Sequence, residues 1–242
     1  MNLSAGRCFG TRLLRPDHEI YMSKDFEKKL SETIAAYKNR YHEAPDRYSV
    51  PIIGPSGTVG RLRPVPVQLV GDAARDAALQ TDWRNMHKDS FLVDPFTATE
   101  ERTINWMRAT YFPDDGMIIF MVEDLAKTAV GHLGFEHFDC VEKVCEYGRL
   151  IRGAVSSVET KQKINLMELA QSCALRWAFE TLGVRRIYAR LFATNWLSLK
   201  LNLRCGFRET ERFYVKKHDG THEMVRIDIS HEEFLAKAKG RI

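Results

Sequence analysis

The chain has 242 residues, 44% hydrophobic and 28% charged, which is typical of a globular protein that buries its own core without disulfides or metals. The formal net charge of +4 is too small to indicate nucleic-acid binding, and no basic run interleaved with aromatics marks a backbone-binding stripe. No apolar run approaches the roughly 18 residues of a membrane-spanning helix, so neither a nucleic-acid nor a membrane partner is expected.

The five cysteines are odd in number and scattered through apolar patterns, which favours reduced thiols over disulfides. Cys140 and Cys145 are too widely spaced for a zinc knuckle, and His218 and His222 have no cysteine near them, so no metal site is expected. The N-terminal segment lacks the apolar core of a signal peptide, and we therefore expect a cytoplasmic protein.

Residues 1–59 are predicted to form an N-terminal extension. Ser23 can cap an amphipathic helix whose apolar residues recur at helical spacing: Phe26, Leu30, Ile34, Tyr37 and Tyr41. This stripe docks either on the main domain or on a second subunit, which leaves a homodimer open. The turn cluster Gly54-Pro55-Ser56-Gly57 lies between β-forming segments and predicts short strands.

The main domain is predicted to span residues 60–242 and to open with two helices. One runs from Asp72 to about Met86, and the other follows a capping box formed by Thr97 and Glu100. The apolar period then changes from helix to strand. The segments MIIFMVED, TAVGHLGFEHF and KVCEYGRLI predict an antiparallel meander of three strands.

The second half of the domain alternates helices and strands. The longest helix covers residues 166–182 and ends at Gly183, and RRIYARLF follows it as a strand. Asn195 can cap a short helix that ends before Gly206. Two further strands flank the turn HDG, and Ser230 with Glu233 caps a final helix.

This order of elements resembles the GNAT superfamily of acyl-coenzyme A-dependent N-acyltransferases over about residues 60–230. The segments that carry the resemblance are LRPV, DWRN, VGHLGF, CEYGRLIRG, the run from Leu166 to Thr210, and HDGTHEMVRIDI. It implies an α+β fold with a mixed, mostly antiparallel sheet of about seven strands flanked by helices. The chain is most similar to the branch that acetylates ribosomal-protein N-termini, polyamines and nucleotide-linked amino sugars, and DWRN favours the last.

The resemblance also implies a binding mode for the acyl donor, acetyl-CoA. Strand 144–152 would diverge from strand 186–192, and main-chain groups of Leu150, Ile151 and Arg152 would bind the pantetheine arm. Asn195 is a further pantetheine contact. The pyrophosphate would lie at the N-terminus of the long helix, on residues Lys161, Gln162, Lys163, Ile164, Asn165, Leu166 and Met167.

This loop departs from the family pattern Arg/Gln-x-x-Gly-x-Gly/Ala. Asn165 and Met167 stand where the family pattern has its two small residues. Asparagine tolerates left-handed backbone, so a main-chain cradle can survive at Asn165. Lys161 and Lys163 either add positive charge to the cradle or are solvated loop residues.

Three residues are candidates for the chemistry. Asn202 stands where many GNAT enzymes carry an acidic tyrosine; its amide can donate to the thioester sulfur or to pantetheine, or it is a helix-surface residue. Glu146 is the proposed general base, with a pKa raised by apolar neighbours, although an exposed salt-bridged glutamate is the alternative. Glu136 and His137 are reserves, Tyr214 is a candidate acid, and a backbone N–H near Ile151 would stabilise the oxyanion.

The sequence thus predicts an acetyl-CoA-dependent N-acetyltransferase that acts on a primary amine of a small molecule by direct attack on the thioester. A nucleotide-linked amino sugar is the favoured acceptor. One alternative is acetylation of a protein N-terminus or side chain, which would need an open acidic groove. Another is a GNAT-fold binding module without catalysis, suggested by the altered loop.

Overall fold

The computed structural model describes residues 17–88, 96–153, 155, 159, 161, 163–217 and 219–239, with backbone alone for 17–22, 238 and 239. The helices are α1 (Asp17–Arg40), α2 (Asp76–Met86), α3 (Glu100–Trp106), α4 (Leu166–Trp177), α5 (Trp196–Cys205) and α6 (His231–Lys239). The strands are β1 (Val50–Gly54), β2 (Gly57–Pro64), β3 (Ile118–Asp124), β4 (Ala129–Asp139), β5 (Val144–Arg152), β6 (Arg186–Phe192), β7 (Arg208–Lys217) and β8 (Gly220–Ser230). No helix within these ranges is long and apolar enough to cross a membrane.

The strands form one eight-stranded sheet in the order β1-β2-β3-β4-β5-β6-β8-β7, one strand more than expected. Neighbouring strands are antiparallel except β5 and β6, which run parallel. A parallel pair needs a crossover connection, and α4 supplies it. The predicted mixed, mostly antiparallel sheet flanked by helices is confirmed.

Strand β3 shows how the sheet separates two hydrophobic layers. Ile118, Phe120 and Val122 pack with α1 and α4 on one face. Ile119 and Met121 pack with α2 and α3 on the other, because successive side chains of a strand point to opposite faces. All seven residues of this strand are buried, so β3 lies at the centre of the core.

Helix α1 docks on its own chain. Its apolar stripe, predicted from the spacing, is buried in the same cluster as the sheet, and Trp177 of α4 donates its indole N–H to the Tyr37 hydroxyl at 2.8 Å. The tyrosines of this stripe, for which a second subunit was the alternative partner, therefore face the domain of the same chain. Ser23 is not the cap, because α1 begins at or before Asp17.

The predicted boundary between residues 59 and 60 falls inside β2, which pairs with β1 on one side and β3 on the other.

Lys38 connects α1 to the rest of the domain by hydrogen bonds. Its buried ammonium donates to the carbonyl oxygens of Tyr111, Phe112 and Asp114 at 3.0, 3.4 and 2.6 Å. These carbonyls follow α3, where the last turn lacks helical partners.

A buried ionic network fixes α2 against the sheet. Arg63 of β2 donates two hydrogen bonds to the Asp76 carboxylate, at 2.8 and 2.6 Å, and a third to Glu123 of β3. Arg61 bonds the second oxygen of Glu123 at 2.7 Å. Since Asp76 opens α2, the network sets where that helix starts on the sheet.

Several helix ends match the sequence signals, and the cap of α3 differs. Gly183 and Gly206 end their helices in left-handed conformations, with φ of 80° and 110°. Ser230 and Glu233 form the predicted reciprocal capping box at α6. Thr99, not Thr97, caps α3 by accepting from the Arg102 N–H. Both α3 and α4 continue as single π-helical turns, Met107–Tyr111 and Ala178–Leu182.

Candidate active site

Strands β5 and β6 separate after a short parallel ladder. They pair only from Val144 with Arg186 to Glu146 with Tyr188, after which β5 follows β4 and β6 follows β8. A bulge in β5 accompanies the separation: between the pairs His132–Ile151 and Gly134–Gly148, β5 has one more residue than β4. Arg149 in this bulge has a φ of 52°. The predicted divergence of the two strands is therefore observed.

The divergence opens a cleft of about 430 Å³ between the two strands and the helices α4 and α5. Its walls come from five parts of the chain. Lining residues are His87, Tyr147, Gly148, Leu150, Ile151, Arg152, Asn165, Met167, Ala189, Arg190, Leu191, Asn195, Leu197, Ser198, Leu201, Asn202 and Arg204. Seven of the residues predicted from the sequence lie here together: Leu150, Ile151, Arg152, Asn165, Met167, Asn195 and Asn202.

Main-chain groups of β5 face the cleft at Arg152 rather than at Ile151. Gly153 N–H donates to Val130 O in β4 at 2.8 Å. Backbone groups alternate in direction along an antiparallel strand, so those of Ile151 also point to β4 and those of Arg152 point to the open side. The ring of His87 contacts Arg152 O at 2.9 Å from that side. The N–H of Arg152 is therefore the main-chain donor near Ile151 that faces the cleft.

Helix α2 is held close to the mouth of this cleft by Trp83. The indole packs so tightly on Gly153 that a Cβ there would lie 2.2 to 2.5 Å from its ring atoms. It also stacks on His132 of β4, with ring centroids 6.0 Å apart. Burial lowers the pKa of His132 to about 3, so this imidazole is neutral. His87 lies one helical turn beyond Trp83, which explains how it reaches Arg152.

The N-terminus of α4 is bonded by oxygen atoms of the chain itself. Asn165 caps the helix by accepting from the Glu168 N–H at 3.2 Å. The buried carboxylate of Glu159 accepts from the Leu166 N–H at 2.8 Å and from Arg152 at 3.0 Å on each oxygen. A negative charge therefore lies at the end of the helix dipole where the family pattern places a pyrophosphate.

The loop before α4 adopts a different backbone from the expected one. Lys163, with a φ of 53°, takes the left-handed conformation, whereas Asn165 is extended with a φ of −102°. Asn165 does not use the left-handed conformation that asparagine tolerates, and its side chain caps the helix. Lys161 and Lys163 are exposed, and Ile164 packs against the core. Gln162 lies outside the described residues.

Leu166 and Met167 both point inward. Leu166 is fully buried, so only its N–H serves the helix terminus. Met167 is 2% exposed and lies over Gly131 of β4, where an added Cβ would come within 2.8 Å of its sulfur. Glycine at 131 therefore creates the space that the methionine fills.

Asn195 and Asn202 occupy α5 on the cleft wall. Asn195 caps the helix by accepting from the Ser198 N–H at 3.3 Å, as predicted. Asn202 is buried rather than on the helix surface: it accepts from Gln171 Nε2 at 2.7 Å and donates to Ser198 O at 2.8 Å. Its amide thus ties α5 to α4 at the place where a pantetheine arm would pass.

Glu146 is the centre of an ionic cluster at the point where the strands separate. Arg190 donates to both of its oxygens, at 3.0 and 2.6 Å, and His137 contacts one of them at 2.8 Å. Burial raises the pKa of Glu146, but the hydrogen bonds and charges of Arg190 and His137 outweigh it, and the net pKa is lowered. The expected raised pKa was wrong, because Arg190 and His137 rather than apolar side chains contact the carboxylate.

Of the two other candidates, one belongs to this ionic cluster and one lies away from the cleft. Glu136 is directly opposite Glu146 on β4 and accepts from Arg149 Nη2 at 2.8 Å, so it belongs to the same cluster. Tyr214 is not near the cleft: it lies on the edge strand β7, beyond β8, and is 71% exposed. The structure therefore does not bring the predicted acid to the site.

The family model for the acetyltransferase (GNAT) domain matches residues 61–208, which is more than half of the chain. The chain belongs to the GNAT acetyltransferase family. Enzymes of this family are acetyl-CoA-dependent N-acetyltransferases, and this GNAT chain is one of them. No curated protein matches the sequence significantly.

Solved GNAT structures share the fold. A GCN5-related N-acetyltransferase from Brucella melitensis gives a TM-score of 0.60 at 22% identity, over 74% of this chain and 79% of that one. A probable GNAT-family acetyltransferase from Chromobacterium violaceum gives 0.57 at 20% identity, over 77% and 97%. The spermidine/spermine N-acetyltransferase SpeG from Vibrio cholerae gives 0.55 at 16% identity, over 74% and 96%.

Sequence reasoning missed three residues of this GNAT site. Arg190 was visible only as the polar half of an alternating strand, and His87 only as a residue near the end of a helix. Glu159 lies between β5 and α4 in a segment whose sequence has no apolar periodicity, and no local signal there distinguishes a buried carboxylate from a solvated one. Arg190 and His87 contact partners 44 and 65 residues away, which a single sequence does not indicate.

Proposed function

We propose that this GNAT enzyme transfers the acetyl group of acetyl-CoA to a primary amine of a small molecule by direct attack of the amine on the thioester. A C–N bond forms, the C–S bond breaks, the amine loses a proton and the thiolate gains one. The observation that carries the proposal is the cleft between β5 and β6. Main-chain groups at the edge of β5 are open there to a bound pantetheine arm.

The residues present suit the acyl donor at the pantetheine end of the cleft. The edge of β5 at Arg152 supplies main-chain groups, and α5 forms the facing wall with Asn195 and Asn202. Because both Asn202 amide atoms are bonded within the chain, we assign it to shaping this wall. The thiolate then takes its proton from solvent or from the acceptor rather than from a tyrosine.

For the amine proton we propose His137 with Glu146. A carboxylate with a lowered pKa holds a proton poorly, but it stabilises a cation beside it. His137 can accept the proton, directly or through water, and Glu146 at 2.8 Å stabilises the imidazolium that results. Glu146 thereby becomes a positioning residue, and Arg190 fixes it on the other side.

The acceptor proposal follows from the charges on this face. Glu136, Glu146 and Asp228 each bond an arginine, namely Arg149, Arg190 and Arg226. Carboxylates that are already paired offer little to a polyamine or to a basic peptide. A small amine with its own anionic groups suits this face better, and a nucleotide-linked amino sugar is one such compound.

The test is thiol release from acetyl-CoA with a panel of primary amines, in the wild type and in Glu146→Gln and His137→Gln variants. Loss of a general base slows turnover roughly 10²- to 10⁴-fold, and we expect His137→Gln to lie in this range. We expect Glu146→Gln to be slowed by a smaller factor, with the KM for acetyl-CoA nearly unchanged. Unchanged kcat in both variants at every pH would remove the pair from the mechanism.

A further inference from the structure

The first turn of α5 exposes two large apolar side chains in succession. Trp196 is 61% exposed and Leu197 is 65% exposed, whereas the other three tryptophans of the chain are buried or half-buried. Tryptophan is mostly buried in folded proteins, and adjacent exposed apolar side chains commonly mark a contact surface. We call Trp196 and Leu197 the α5 rim.

The α5 rim adjoins the cleft between β5 and β6. Asn195 and Leu197 both line this cleft, and Trp196 lies between them in sequence without lining it. Successive residues of a helix point in directions about 100° apart, so the indole stands beside the cleft at its outer edge. Asn165, the N-cap of α4, lines the same cleft. A donor whose pyrophosphate lies at the N-terminus of α4 therefore has its nucleoside at the mouth of the cleft, near the α5 rim.

Positive charge continues along α5 from the rim. Lys200 and Arg204 follow Trp196 at intervals of four residues, so the three side chains share one side of the helix. Lys200 is exposed, and Arg204 lines the cleft and pairs with Glu168 at 3.0 Å. The ammonium of Lys200 would attract an anionic group that lies next to an aromatic base on Trp196.

We propose that Trp196 stacks on the adenine of acetyl-CoA and that Lys200 binds the phosphate on its ribose. This inference rests on the proposed function and specifies how the nucleotide of the donor is held. Adenine has a flat π-face that suits the indole ring, and the 3′-phosphate is the anionic group of CoA nearest to the adenine. Because Glu159 opposes the pyrophosphate at the N-terminus of α4, contacts to the nucleotide supply donor affinity that this helix end does not.

The experiment measures the binding of CoA, dephospho-CoA and pantetheine by calorimetry in the wild type and in variants. Trp196→Ala should raise the Kd for CoA about tenfold, because stacking of a base on an aromatic ring is worth such a factor. Pantetheine lacks the adenine, so its Kd should not change. Trp196→Phe keeps an aromatic ring and should recover part of the CoA affinity. Lys200→Gln should raise the Kd for CoA about threefold and leave that for dephospho-CoA unchanged.

The matched control is Tyr214→Ala, which removes another exposed aromatic ring, on the edge strand β7 and away from the cleft. It should leave the Kd for CoA unchanged. All the replaced side chains are exposed, so thermal unfolding without CoA should be the same in every variant. Tryptophan fluorescence gives a second measurement: CoA should quench the exposed indole in the wild type, and this quenching should be lost in Trp196→Phe.

The outcomes separate this inference from the proposed function. An equal Kd for CoA in the wild type and Trp196→Ala would overturn the inference and leave the proposed function in place. An equal loss of CoA and pantetheine affinity would also overturn it, because the change would then act on the cleft itself. No binding of CoA to the wild type would overturn both. If Trp196→Ala abolishes self-association in sedimentation and keeps its CoA affinity, the α5 rim binds a second copy of the chain and the inference is wrong.

Discussion

The carboxylate at the N-terminus of α4 makes a strong prediction about donor affinity. Glu159 accepts from the Leu166 N–H, which the donor's pyrophosphate would use at the helix N-terminus, and from Arg152 beside it. Two anions cannot bond the same N–H, so Glu159 must move when the donor binds. Glu159→Gln keeps an oxygen for the Leu166 N–H but removes the negative charge and releases Arg152.

The size of the effect follows from Coulomb's law. Two unit negative charges about 6 Å apart repel by about 2.8 kcal/mol at an effective dielectric constant of about 20. Glu159 is 5% exposed in its side chain, so solvent screens it little. The remaining Gln side chain still has to be displaced, which reduces the gain. We expect the Kd for CoA to fall about tenfold, or about 1.4 kcal/mol.

The assay is isothermal titration calorimetry of CoA and of pantetheine, which lacks the pyrophosphate. Glu159→Gln should strengthen CoA binding and leave pantetheine binding unchanged. Glu180→Gln is the matched control: it removes one exposed negative charge beyond the C-terminal end of the same helix, roughly 20 Å away. A CoA Kd that stays constant or rises in Glu159→Gln would refute the reasoning and would mean that Glu159 holds Arg152 in place for the donor.

Three further changes test the fold around the site by urea unfolding. Arg63→Met leaves two buried carboxylates without their shared partner and should cost about 3 kcal/mol or more. Lys38→Met leaves three carbonyls without a donor and should cost roughly 2–4 kcal/mol, whereas exposed Lys28→Met should stay within about 0.5 kcal/mol. Burial lowers the Lys38 pKa to about 8, so the unfolded chain binds more protons above this pH. Stability should therefore gain a component that rises from about pH 8 to 10 and is absent in Lys38→Met; an equal slope in both proteins would contradict this. Gly153→Ala drives a Cβ into the Trp83 ring and should cost about 1–3 kcal/mol.

Local signals in the sequence predicted most of the fold. Gly183, Asn195 and the pair Ser230 and Glu233 each act within a few residues, and the structure confirms all of them. The helix α1 was also predicted by its periodicity, although its start was not. Such features depend on backbone geometry and neighbouring side chains, which a single sequence contains.

The site was predicted less completely, because its electrostatics depend on distant partners. Glu146 has an apolar pattern around it in sequence, yet Arg190, 44 residues away, bonds both of its oxygens and helps to lower its pKa against the effect of burial. The alternating pattern around Tyr214 correctly predicts a strand, but the order of strands places β7 at the edge of the sheet. Periodicity shows which face a side chain takes and does not show which element lies opposite.

The two departures in the loop before α4 have different consequences for the donor. Met167 replaces a small residue, but its side chain turns into the core over Gly131 and leaves the main-chain N–H groups of the helix in place. A cradle made of main-chain groups does not depend on that side chain, so the methionine by itself need not weaken binding. The charge of Glu159 acts directly on the bound anion, whichever side chains shape the loop. We therefore expect the pairing of Glu159 with Arg152 to affect donor affinity more than the loss of the small residues that mark the family loop does.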